Sequence, residues 1–120
     1  WPDGSFDVVI DSDAATCNGH DEARRLYAEL HRVARPGGRL YVRTPATGSW
    51  GEGTGTAHGR GRWDCAEGPF AGTGIVRFAT EQDLHDLLSP WKLEQLEVVS
   101  RTMGNRAHVV REWVVGAVKG

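Results

Sequence analysis

Val8, Val9 and Ile10 form an unbroken apolar run between two acids, Asp7 and Asp11, and the turn residues Pro2, Asp3 and Gly4 lead into it. A continuous run of β-branched residues, rather than an alternating one, predicts a strand covered on both faces, as inside a parallel sheet. A parallel neighbour requires a crossover, and the next residues supply one. Ala23, Leu26, Tyr27, Leu30, Val33 and Ala34 recur at helical spacing across residues 20–35. Asp21 and Glu22 stand in the first turn and Arg32 and Arg35 in the last, where the helix dipole favours each sign. Pro36, Gly37 and Gly38 stop the helix, because proline cannot continue it and glycine accepts the left-handed exit. Arg39–Thr44, with Leu40, Tyr41 and Val42, then reads as a second strand. The result is a β-α-β unit with a right-handed crossover and a parallel strand pair.

Beyond Pro45 no strong period exists until Gly74, and nine of the sixteen glycines fall between Gly48 and Gly74. This stretch is expected to be a lid-like loop or a disordered segment. It contains Gly51-Glu52-Gly53-Thr54-Gly55-Thr56, whose letters suit a phosphate cradle. Such a cradle must leave a strand and open a helix, and neither flank predicts one, so a flexible crossover is the better reading. Ile75–Ala79 suits a short extended piece. Thr80 and Asp83 resemble a helix N-terminus, Leu84, Leu87 and Leu88 give an apolar face, and Pro90 ends the helix. Lys92–Ser100 and Arg111–Val118 read as antiparallel strands around a turn at Gly104 and Asn105, the second central because it is so apolar. The expected fold class is α/β, with Arg111–Val118 antiparallel to Lys92–Ser100.

Composition narrows the partners. A net charge of −2 leaves no basic footprint for nucleic acid or an anionic membrane. No apolar run approaches a membrane span, and no basic-then-apolar leader is present at the N-terminus. Cys17 and Cys65 stand in unlike contexts without metal-ligand or disulfide spacing, which fits a reducing cytoplasm and no metal. His20, His31, His85 and His108 read as solvated side chains.

Phe6-Asp7-Val8-Val9-Ile10-Asp11, followed by Glu29, Arg32, Val33, Pro36, Gly37 and Gly38, resembles the second half of class I S-adenosylmethionine-dependent methyltransferases. In that family an "FDxV" strand precedes a helix reading like "ExxRVLxPGG"; here Ala34 stands where leucine is usual. The stretch from Glu67 to Glu97 is similar to small-molecule and thiol- or metalloid-directed members. The resemblance implies a partial Rossmann-like doubly wound sheet, with equivalents of strands 4, 5, 7 and 6 and the last antiparallel. On this reading residues 1–120 are the C-terminal portion of the domain. The family's glycine-rich donor turn and the acid ending its second strand lie N-terminal to these elements. The implied function is part of an S-adenosylmethionine-dependent methyltransferase with a small-molecule acceptor. The alternative is a noncatalytic binding or assembly module that keeps half of the fold.

Ligands of open α/β sheets sit at the carboxyl ends of the strands, so Asp11, Ser12, Asp13 and Ala14 are the expected cofactor-binding group. Carboxylates there could favour a sulfonium or orient an acceptor, or Ser12 and Asp13 could merely turn the chain into the helix. Trp50, His58 and Trp63 are the candidates for lining an acceptor pocket, with Cys65 nearby in the loop. The first strand would lack the family's neighbouring strand, so the chain is expected to form a homo-oligomer or to associate with an N-terminal half, through Val8, Val9 and Ile10.

Overall fold

The computed structural model describes all residues from Trp1 to Gly120. Its main sheet has four strands in the order β1-β2-β7-β6. β1 is Phe6–Ser12, β2 Ala34–Pro45, β6 Lys92–Met103 and β7 His108–Val118. β1 and β2 are parallel, with Val9 opposite Leu40 and Ile10 opposite Tyr41. β7 runs antiparallel to β2, and β6 antiparallel to β7 at the outer edge. The expected topology is the observed one. The β6–β7 hairpin is longer than the sequence pattern predicts, and its turn passes through Gly104, Asn105 and Arg106, all at positive φ.

Helix α1, His20–Val33, crosses between β1 and β2. It ends one residue before Ala34, whose backbone is extended, and Gly37 takes a left-handed φ of 78°. Helix α2, Glu81–Leu87, opens on a capping box in which Asp83 N–H donates to the Thr80 hydroxyl and Thr80 N–H donates to the Asp83 carboxylate. Both helices help to cover one face of the main sheet. The core there joins Ala23, Tyr27, Leu40, Val42, Leu84, Leu88, Trp91 and Val115. The Trp91 indole N–H donates to Tyr27 O at 3.0 Å, tying the end of the α2 segment to α1.

Two expectations are corrected. β1 is not covered on both faces: Val8 is 51% and Ile10 72% exposed, whereas Val9 packs against the core. The alternation arises because α1 lies on one side of β1 and no element of this chain lies on the other. Residues 45–74 are also more organised than their lack of period suggests. β3, Thr56–Gly59, and β4, Arg62–Asp64, form a hairpin, and β5, Ile75–Arg77, pairs antiparallel with β4. Strands this short cannot display a legible period. They are held by a separate small core of Cys65, Val76 and Phe78, with Trp63 and Phe70 against it.

The glycine-rich stretch belongs to this second sheet. A Cβ on Gly55 would stand 2.1 Å from Asp64 O, so only glycine allows the chain to lie this close to β4.

The packing sets a contrast in sensitivity. Leu40 is wholly buried, and Leu40→Ala is expected to lower the unfolding free energy by about 2–5 kcal/mol. Val99→Thr, on the exposed side of the edge strand, should change it by less than about 0.5 kcal/mol. Urea unfolding of the two variants checks both figures.

Candidate functional site

The carboxyl end of β1 runs into a single 3-10 turn, Ala15–Cys17, before α1 begins. Asp11 organises this passage. Its side chain is 5% exposed, and Oδ1 accepts from the N–H groups of Ala14 at 3.0 Å and Ala15 at 3.3 Å. Oδ2 accepts from the Tyr27 hydroxyl, brought across by the second turn of α1. Burial first, and the Asp11 charge second, push the Tyr27 phenol far above its ordinary value, so it remains a donor. Asp11 therefore has its acceptor capacity taken up within the chain and acts as a positioning residue.

Asp13 differs. Its backbone is left-handed, with φ 57°, and its N–H donates to Arg43 O at 2.9 Å across the end of β2. Its Oδ1 is buried and has no hydrogen-bond partner. Burial is the main cause that raises its carboxyl pKa; the charge of Glu112 adds to the rise, and Arg43 opposes it. Arg43 is itself engaged with Glu112, the Nε–Oε2 distance being 3.1 Å. Ser12 and Ala14, the other two members of the group, are exposed. The four residues thus lie together at the strand end, with one satisfied carboxylate and one unsatisfied. A cavity of about 280 Å³ beside them is lined by Ile10, Asp11, Ser12, Tyr41, Arg43 and Val114, among others.

The loop candidates are not brought to that cavity. The Trp50 ring stacks on His108 with centroids 3.8 Å apart and planes 4° from parallel. Trp63 packs against the small core, and His58 is exposed on β3. None of the three lines any concavity of the surface. Cys65 is buried, which raises its thiol pKa and removes it from approach to a substrate. His20, expected to be solvated, is only 9% exposed, because the β3–β4 hairpin and α2 bring Arg60 and Asp86 over the start of α1. His108 is half-buried under Trp50, not solvated.

Tyr27, Arg43 and Glu112 were not visible as site residues in the sequence. Tyr27 carried a helical-face signal and read as core. Glu112 reaches the site only through the pairing of β7 with β2, which sets it opposite Pro45. Thr16 is a fourth: its hydroxyl donates to Arg77 O at 2.9 Å and accepts from Arg77 N–H at 3.1 Å, joining the β1–α1 turn to β5.

A parallel pair with a helical crossover, extended by an antiparallel hairpin, is a Rossmann-like arrangement. A family model described as a methyltransferase domain matches residues 1–42. An S-adenosylmethionine-dependent methyltransferase from Methanosarcina mazei superposes with a TM-score of 0.72 at 20% identity, over 99% of this chain and 61% of that one. One from Mesorhizobium loti gives 0.73 at 18% identity, over 98% and 63%. A Burkholderia thailandensis 1,6-didemethyltoxoflavin-N1-methyltransferase, solved with 1,6-didemethyltoxoflavin and S-adenosylhomocysteine bound, gives 0.68 at 18%, over 98% and 45%. No curated protein matches the chain. The fold is that of these S-adenosylmethionine-dependent methyltransferases, and the chain spans roughly half to three fifths of their length.

Two substitutions test the site's electrostatics. Tyr27→Phe leaves Asp11 Oδ2 without its donor and should destabilise the protein by about 1–3 kcal/mol in urea unfolding. Asp13 is the opposite case. The folded state prefers its carboxyl protonated, so its favourable contribution is present below the ordinary value of 3.8 and is lost as pH rises through the raised one. Asparagine tolerates a left-handed φ as aspartate does. Asp13→Asn should therefore raise the melting temperature at pH 7 and leave it unchanged below pH 3.8.

Proposed function

We propose that this chain is part of a methyltransferase that takes S-adenosylmethionine as donor and a small molecule as acceptor. The observation that carries the reading is Asp13: a buried carboxylate oxygen with no partner, at the carboxyl end of β1, where open α/β sheets receive their ligands. An unpartnered carboxylate fits the cationic part of such a donor, because a nearby positive charge offsets the burial that raises its pKa. When bound, the donor would supply a methyl on a sulfonium, to which the acceptor's nucleophile bonds in line as the C–S bond breaks and the neutral thioether leaves. Asp11 holds the turn, Asp13 faces the positive charge, and the main-chain groups of Ser12 and Ala14 complete the rim. Positioning, rather than acid–base work, is the contribution asked of these residues.

Acceptor choice on this reading belongs to the residues around the small sheet, with Trp50, His58 and Trp63 as candidates after local movement. The exposed edge of β1 and its uncovered face, carrying Val8 and Ile10, favour association with a second copy or with an N-terminal half of the same fold. The same feature keeps the noncatalytic assembly module as a second reading.

Calorimetric titration separates the two. S-adenosylmethionine or S-adenosylhomocysteine is expected to bind with a Kd below roughly 100 μM, about −5.5 kcal/mol, and Asp13→Ala to weaken it at least tenfold. No heat at millimolar donor, in the protein as its gene encodes it, would favour the module. Light scattering tests association: a stable monomer at high concentration would show that the β1 edge takes no further strand.

A further inference from the structure

A second polar concavity lies on a different part of the surface. It has a volume of about 300 Å³, contains no apolar side chain, and is lined by His20, Asp21, Arg24, Arg60, Asp86 and Ser89. Three elements converge there: the first turns of α1, the tip of the β3–β4 hairpin, and the end of α2 with Ser89 after it. Arg60 is placed by a two-residue hairpin turn in which Arg60 and Gly61 both have positive φ, 53° and 75°. Of the lining residues, His20 is buried to more than nine-tenths, and its Nδ1 has no hydrogen-bond partner.

Cations gather around this ring without forming direct ion pairs. Arg62 and Arg77 stand directly opposite each other on β4 and β5, an arrangement in which like charges repel. Arg77 is 2% exposed, and the Nε atoms of both residues are buried without a partner. Its guanidinium donates only to a carbonyl, that of Asn18. None of Arg24, Arg60, Arg62 and Arg77 forms a salt bridge. Asp21 and Asp86 line the same cleft and offset part of this charge without a direct ion pair, Asp86 Oδ1 accepting from Gln82. Consistent with this balance, burial first and then Arg60 and Arg77 lower the His20 pKa, outweighing the opposite pull of Asp83 and Asp86. The ring is thus held neutral, with one N–H to donate. A buried cation without a partner is costly, and a bound anion would remove that cost.

We propose that this cleft binds one small oxyanion group, a carboxylate or a phosphate, gripped by Arg24 and Arg60, with His20 donating from its ring and Arg62 and Arg77 supplying positive potential behind. Arginine suits the task because its planar fork matches both groups. Asp21 and Asp86, which also line the cleft, limit it to one compact anion. The inference goes beyond methyl transfer and does not rest on it.

The test needs no methyl donor. Sodium phosphate and sodium acetate are titrated separately into the full chain at constant ionic strength and pH 7.5, followed by backbone and histidine-ring NMR shifts. Saturable shifts centred on His20, Arg24 and Arg60 are expected for at least one anion. Arg24→Gln and Arg60→Gln, both at exposed positions that keep the fold, should each weaken binding at least fivefold. Arg101→Gln, on the exposed side of β6, should leave it unchanged. Response to both anions, or to phosphate or acetate alone, identifies the group that the cleft prefers. Shifts that do not saturate, or that persist equally in the Arg24 and Arg60 variants, overturn the proposal.

Discussion

The Asp11 carboxylate is the interaction on which the rest of this site depends. A buried carboxylate is tolerable only when its oxygens are used, and here they accept from Ala14, Ala15 and Tyr27. Those three donors come from the turn after β1 and from the middle of α1. One side chain therefore sets where the strand ends, how the chain leaves it, and how the crossover helix sits over the sheet. Asp13 inherits its position from that turn. Its left-handed backbone and its N–H bond to Arg43 O fix it at the end of the β1–β2 pair, but nothing in the chain satisfies its buried oxygen.

The two sheets divide the labour. The main sheet is a rigid frame whose strand ends present the acids. The small sheet adds positive charge and is fastened to the frame through Thr16 and Arg77. Each unpartnered buried polar atom, Asp13 Oδ1, His20 Nδ1, Arg62 Nε and Arg77 Nε, lies in one of the two places where these parts meet or end. Asp11 and Asp13 gather at one, and the arginines Arg62 and Arg77, without ion pairs, at the other.

The uncovered face of the main sheet has its own logic. Val8, Ile10 and Tyr41 point away from the helices and are exposed, while their neighbours Val9, Leu40 and Val42 turn towards the core. The outer part of this face is finished with charge, through Arg39 with Glu94 and Arg43 with Glu112. Exposed apolar side chains lie on both edge strands, Val8 and Ile10 on β1 and Val99 on β6.

The main frame was legible in the residues. The apolar run at Val8–Ile10, the helical spacing from Ala23 to Val33, the Pro36-Gly37-Gly38 stop and the Thr80–Asp83 capping box are local signals, each written within a few consecutive positions. The crossover pair and the hairpin followed from them, and the order in which they join followed from the family resemblance. Asp11 to Ala14 could be placed in the fold for the same reason, at the end of a recognisable strand. The small sheet was not legible, since strands of three or four residues are too short to carry a period and their pairing is stabilised by Cys65, Val76 and Phe78, which are distant in the chain. Nor could the sequence assign different tasks to Asp11 and Asp13: one meets Tyr27 across α1, the other lies near Glu112 of the last strand. What decided those roles was burial and the distance between side chains far apart in sequence, quantities that exist only once the chain is folded.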